Sequence, residues 1–236
     1  MKSVVLASSL LVGFAACGGS DLDPGSGDDP GTGTNTLQVN GSARAEPRLA
    51  NARNGGEFTT EFSVRILLNG APVSNGSVLM TSSTGTVVLA YEPDNGGRWR
   101  GTAAGYDEVY VLDVDSGNDS VNDVRVDGPS IHTFSEPQAG ATVDAGMPLM
   151  VKWSSSGADT AAIDAENLDK VSIDDSGSYM LAANALKSEK DKPRENQITI
   201  TRTNRVSPRG AIGGSEFAVT IENDISVIAM PNPTAP

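Results

Sequence analysis

From Leu37 onward the apolar residues of this chain recur at every second position, in short runs that Gly, Asn, Asp or Pro cut off. A period of two puts successive side chains on opposite faces of an extended strand, whereas a helix needs a period near 3.6. Phe62-Ser-Val64-Arg-Ile66-Leu-Leu68 alternates cleanly, and Asn69-Gly70-Ala71-Pro72 reads as the turn that ends it. Val78 to Met80, Thr86 to Leu89, Val109 to Val114 and Val121 to Val126 repeat the pattern. Turns at Asn75-Gly76, Asp94-Asn95-Gly96-Gly97 and Ser116-Gly117-Asn118 punctuate it. Short strands at this spacing predict an all-β sandwich.

A second stretch begins near Gly128-Pro129, and Leu149 to Trp153 is its first strong strand signal. Val171 to Ile173, Ile198 to Arg202 and Phe217 to Ile221 continue the alternation. Tyr179 to Leu186 is the one segment that suits a helical turn. Residues 37–128 hold seven Arg and no Lys, while residues 129–236 hold five Lys and four Arg, a shift that favours two different modules. The expected organisation is two tandem β-sandwich domains, 37–128 and 129–230, with a disordered tail over 231–236.

The chain has one Cys and one His, which removes a disulfide framework and any zinc site of several His or Cys ligands. That single Cys stands at the end of an N-terminal apolar run. After Lys2 and Ser3 come thirteen residues, Val4 to Ala16, and then Cys17. A helix of that length rises about 20 Å, short of the ~30 Å hydrocarbon core, so the run reads as an export signal. Phe14-Ala15-Ala16-Cys17-Gly18 resembles the lipobox of bacterial lipoproteins, with Phe14 where Leu is usual. The resemblance implies that residues 1–16 are a signal peptide and that Cys17 is acylated. It also implies that the exported protein is held by lipid at the outer membrane or cell surface, since Gly18 replaces the Asp that retains such proteins at the inner membrane. Residues 17–36 carry six Gly, two Pro and four Asp after the Cys, and read as a flexible acidic linker.

Asp175-Ser-Gly177-Ser-Tyr179 resembles the D-x-G-x-Y of immunoglobulin-like domains. The likeness implies a tyrosine corner built on Asp175, Gly177 and Tyr179, with Trp153 as a core aromatic and no inter-sheet disulfide. Residues 137–153 are similar to the opening of bacterial and fungal surface Ig-like modules. Residues 58–127 resemble the small prealbumin-like or carboxypeptidase-regulatory sandwiches.

The formal net charge is −13, which argues against nucleic acid as a partner. Asp113, Asp115, Asp119 and Asp123 crowd into one segment and make a candidate calcium site. The EF-hand pattern fails there, because Gly117 falls at position five and Val124 at position twelve. No other cofactor is expected. A second acidic group, Asp164 to Asp175, reads as solvated surface. Seven bases between Lys187 and Arg209 read as a charged loop. Trp99 and Tyr106 are the candidate stacking platform for a carbohydrate, if their rings are exposed. His132 lacks an orienting acid nearby in sequence, and no G-x-S-x-G elbow exists. The chain therefore reads as a non-catalytic surface interaction, adhesion or scaffold module, anchored in a lipid bilayer through Cys17. Its partner would be an envelope protein or a polysaccharide. A carbohydrate- or calcium-binding module is the alternative, and a carboxylate-dependent hydrolase comes third.

Overall fold

A computed structural model describes residues 22–154 and 157–232; Cys17 and the signal-like run lie outside them. The first half carries β1 (Thr32–Gly33), β2 (Leu37–Pro47), β3 (Phe58–Leu68), β4 (Ala71–Pro72), β5 (Ser77–Ser82) and β6 (Gly85–Val88). It continues with β7 (Ala90–Glu92), β8 (Arg98–Ala104), β9 (Val109–Ser116) and β10 (Asp119–Asp127). The second half carries β11 (Phe134–Glu136), β12 (Thr142–Val143), β13 (Leu149–Trp153), β14 (Thr160–Ala165), β15 (Leu168–Ile173) and β16 (Ser178–Leu181). Two long strands close the chain, β17 (Arg194–Val206) and β18 (Glu216–Ala229). Among the described residues the helical turns are two short 3-10 segments, Gly55–Glu57 and Pro93–Asn95. No helix there is long and apolar enough to cross a membrane.

The strands form three sheets. One is a ten-stranded sheet whose main path runs β15-β14-β17-β18-β2-β3-β8-β7. A five-stranded sheet, β1-β10-β9-β5-β6, covers one part of it, and a three-stranded sheet, β11-β13-β16, covers another. The protein is therefore all-β, with two sandwich cores under one continuous sheet. The first core gathers Leu37, Val39, Phe62, Ile66, Leu112 and Val114. The second gathers Val151, Trp153, Ile163, Leu181, Ile198 and Ile200.

The junction between the cores is made by β18. Its inner row is buried at every second residue over its whole length. Phe217, Val219 and Ile221 belong to the first core, and Ile225, Val227 and Ala229 to the second. β18 pairs parallel with β2 along Glu216–Ile221 and antiparallel with β17 along Phe217–Ala229. The division at residue 128 therefore does not separate the cores, because the end of the chain returns to complete the first. Nothing in a period of two says which core an inward side chain enters.

Two further expectations change. The linker reading of residues 17–36 gives way over the described part, because β1 pairs antiparallel with β10, Thr32 opposite Asn122 and Gly33 opposite Val121. Composition favours disorder there, but the segment supplies backbone hydrogen bonds to an otherwise open sheet edge. Tyr179 to Leu186 forms no helix: Ser178–Leu181 is strand and turns follow.

Each core holds one Trp, Trp99 in the first and Trp153 in the second. A strand shared by both cores predicts one cooperative transition. Single-Trp variants, Trp99→Phe and Trp153→Phe, should give coincident urea midpoints by fluorescence. Ile225→Ala, at a fully buried position of the second core, should cost about 2–5 kcal/mol. It should lower the midpoint seen by Trp99 as much as that seen by Trp153.

Candidate functional site

The inner rows of β17 and β18 carry polar residues at the level where the two cores meet. Arg202 and Asn223 are buried there, at 1% and 0% exposure. Arg202 stands opposite Ile221, and Ile200 opposite Asn223. The two polar side chains thus mark the seam between the cores. A buried charge needs a partner and a buried amide needs its hydrogen bonds filled.

Both needs are met. Arg202 Nη2 donates to Asp175 Oδ2 at 2.8 Å, and its Nε donates to both oxygens of that carboxylate at 3.1 and 3.0 Å. Arg202 Nη1 donates to the Ser130 carbonyl at 2.7 Å. Asp175 also accepts the Trp153 indole N–H at 3.2 Å and the Ala158 amide at 2.7 Å. Burial alone would raise the Asp175 pKa; the Arg202 guanidinium and the Ala158 N–H outweigh it and hold the carboxyl below its usual range. Asn223 Nδ2 donates to the carbonyls of Ala52 and His132 at 2.8 and 2.6 Å, and its Oδ1 accepts the Ala52 amide at 3.0 Å. Asn204 Nδ2 donates to the Asp127 carbonyl at 2.8 Å, and Asn51 Oδ1 accepts the Phe134 amide at 2.8 Å. The connecting segment from Asp127 to Phe134 is thereby held on both sides.

His132 lies inside this seam with no exposure. Neither ring nitrogen has a well-formed hydrogen-bond partner. Burial, and then the Arg202 charge, push its pKa down to about 3, although the Ile200 backbone weakly favours the proton. The imidazole is neutral and packs on Phe134, ring centres 6.2 Å apart. Among the described residues no side chain hydrogen-bonds the imidazole, and the ring is closed off from solvent. Its chemistry is that of a lock between two cores.

The residues expected from sequence fall elsewhere. Trp99 and Tyr106 are 6% and 5% exposed, so they form no stacking platform. The Trp99 indole N–H donates to the Val73 carbonyl at 3.0 Å and the Tyr106 hydroxyl to the Pro129 carbonyl at 2.6 Å. With their polar atoms satisfied by backbone, both rings join the core at little cost. Tyr106 packs on Phe58 and Tyr110 at 6.0 and 6.1 Å.

Asp113, Asp115, Asp119 and Asp123 do not converge. Asp113 Oδ1 accepts the Asp123 amide at 2.8 Å, serving the bulge in β10 where Asp123 takes a φ of 58°. Asp115 Oδ1 accepts the Gly117 amide of the hairpin turn. Asp115 pairs with Ser120, so its neighbour Asp119 points to the other face of the sheet. Among the described residues no group of three or more His, Cys, Asp or Glu is placed to hold a metal ion.

The tyrosine corner is also revised. Among the described residues no hydrogen bond reaches the Tyr179 hydroxyl; the ring packs against the second core beside an open recess of about 450 Å³ that Asp174 and Ser176 also line. Asp175 serves Arg202 instead. Arg202 leaves the expected basic loop for the core, and most of the other bases there pair with acids: Lys187 with Glu166, Lys192 and Arg194 with Glu189, and Arg205 with Glu216. The seam is not among the sites expected from sequence, but it has a sequence signal: Arg202 and Asn223 are polar residues at inward positions of alternating strands.

No family model matches the chain, and no curated protein matches it. Similar solved structures include a chimeric titin Z1Z2-Z1Z2 tandem functionalised with a GRGDS peptide from fibronectin. That likeness is 11% identical, covers 86% of this chain and 100% of that one, and has a TM-score of 0.23.

The seam makes two predictions. His132 binds its proton far more weakly folded than unfolded, where its pKa is near 6.5. Its contribution to stability is therefore intact above pH 6.5 and is lost as pH falls from there towards 3. Denaturant midpoints measured from pH 7.5 to 4 should fall more steeply for the wild type than for His132→Leu. Arg202→Met leaves the Asp175 carboxylate buried without its partner and should cost about 3–5 kcal/mol in urea unfolding. Adding Asp175→Asn should restore part of that loss.

Proposed function

We propose that this protein is a lipid-anchored component of a bacterial cell envelope, tethered through acylated Cys17, whose paired sandwiches serve as a non-catalytic interaction or scaffold module. The observation that carries the reading is Phe14-Ala15-Ala16-Cys17-Gly18: the chain's one Cys stands where the apolar leader ends. Several acyl chains at one residue make a stable anchor, at about 0.8 kcal/mol per buried methylene.

The all-β architecture is compatible with an interaction module. Two cores held at a fixed angle by buried hydrogen bonds suit a rigid spacer or display element. The resemblance of the second stretch to surface Ig-like modules agrees with placement at the outer membrane or cell surface. An envelope protein or polysaccharide is the partner class. The carbohydrate alternative loses its proposed platform with the burial of Trp99 and Tyr106, so another surface would have to supply the contact.

In a bacterium that processes lipoproteins, the wild-type chain should partition into the detergent phase of Triton X-114 and incorporate labelled palmitate. Cys17→Ser should lose the label and move to the aqueous phase. Equal partitioning of the two chains would remove the anchor.

A further inference from the structure

The segment between the candidate lipid site and the first long strand is latched onto the protein. The Asp29 amide donates to the Arg125 carbonyl at 3.1 Å, and the Arg125 amide to the Asp29 carbonyl at 2.8 Å. Thr34 N–H donates to Ser120 O at 3.0 Å and Asn35 N–H to Gly210 O at 2.6 Å. The Arg209 amide returns a bond to the Pro30 carbonyl at 2.6 Å. β1 thus lies between β10 and the loop at Gly210.

The start of the segment is clasped by two side chains. Asp127 Oδ2 accepts the amides of Gly25 and Gly27 at 2.8 and 3.1 Å, while Asp28 Oδ1 accepts the Asp127 amide at 2.8 Å. Arg125 is 5% exposed; its Nη2 donates to the Asp23 carbonyl at 2.7 Å and its Nε to Asp127 Oδ1 at 2.9 Å. Close approach requires glycine: a Cβ on Gly33 would stand 2.5 Å from the Ser120 carbonyl oxygen and 2.7 Å from that of Gly210.

We propose that residues 23–36 are a docked strap and not a tether, so that an anchor at Cys17 holds the first sandwich close to the bilayer by the β10 end at Arg125–Asp127; this rests on the lipid-anchor reading above. Asp23 is six residues beyond Cys17. At about 3.5 Å per residue the clasp cannot lie more than about 21 Å from the acylated residue. An undocked segment would release Leu37, twenty residues beyond Cys17, to a reach of about 70 Å. A random coil of six residues averages about 13 Å end to end, and one of twenty about 25 Å. The leash meets the protein where β10 ends beside Asn204 of β17, near the seam between the cores. The leash therefore holds the molecule at the level where its two cores meet.

The test uses the full acylated protein on a supported bilayer. Neutron reflectometry reads the water gap beneath the protein layer, and hydrogen exchange reads the strap amides. Fourteen Gly/Ser residues inserted after Ser20 leave the strap untouched. They lengthen a six-residue leash enough to widen the gap about 1.8-fold, but a twenty-residue leash only about 1.3-fold. The expected result is the larger change, with the Thr34 and Asn35 amides exchanging at least tenfold more slowly than in an unstructured peptide. Gly33→Val should abolish that protection and widen the gap without any insertion. A 1.3-fold change, or unprotected amides in the wild type, would overturn the strap. Cys17→Ser separates the two ideas. If that chain stays on the bilayer, the anchor and the leash fail together, while exchange at Thr34 and Asn35 still reports whether the segment is docked.

Discussion

The 14-residue strand Glu216–Ala229 is the constraint on which the rest of the structure depends. Its inward side chains fill one core and then the other without a break in the backbone ladder. A strand cannot bend sharply between residues 221 and 225 and keep its pairing, so the two cores inherit one sheet direction and one twist. The parallel pairing to β2 joins segments about 175 residues apart in sequence. Contacts of that separation form late and tie the stability of the early strands to the end of the chain.

Joining two apolar cores along one strand creates a seam where neither core is complete. The seam is polar because backbone from both halves passes through it. The connection from Asp127 to Phe134 brings carbonyl and amide groups that must be paired away from water. Asn223, Arg202, Asn204 and Asn51 supply the pairs. Such a network contributes less to net stability than to uniqueness: an apolar seam would tolerate many angles between the cores, whereas directed hydrogen bonds accept one. The Arg202–Asp175 pair extends the same lock to the Ala158 amide and the Trp153 indole. His132 is the weak member, a ring whose nitrogens were taken from water without full replacement, and that is why acid should reach this part of the fold first.

Much of the fold was legible in the sequence because a half-buried strand writes its own pattern. Leu149–Trp153 matches its expected span, and the alternating run from Phe62 to Leu68 lies within β3. What was not legible depends on partners. Residues 22–36 look like a solvated linker because they carry no apolar side chains to bury beyond Leu22; their docking rests mainly on their backbone groups, which every residue possesses, met by distant carbonyls and by the Arg125 and Asp127 side chains. Trp99 and Tyr106 have the amphipathic chemistry of a ligand platform, and the choice between platform and core was made by carbonyls at Val73 and Pro129. Asp175 has the spacing of a tyrosine corner, yet a guanidinium 27 residues away claims it. Side chains with one polar end can serve several roles, and only the neighbour decides which.

By itself the sequence determined the class of fold and the positions of most strands. These follow from local rules: a period of two and the turn preferences of Gly and Asn. The tertiary structure alone decided that two cores share one sheet, that a polar seam sets their angle, and that an acidic, glycine-rich segment closes a sheet edge. Those outcomes depend on which distant backbone groups and charges meet. Hydrogen bonding and desolvation are properties of pairs, and a sequence read one residue at a time does not contain the pairs.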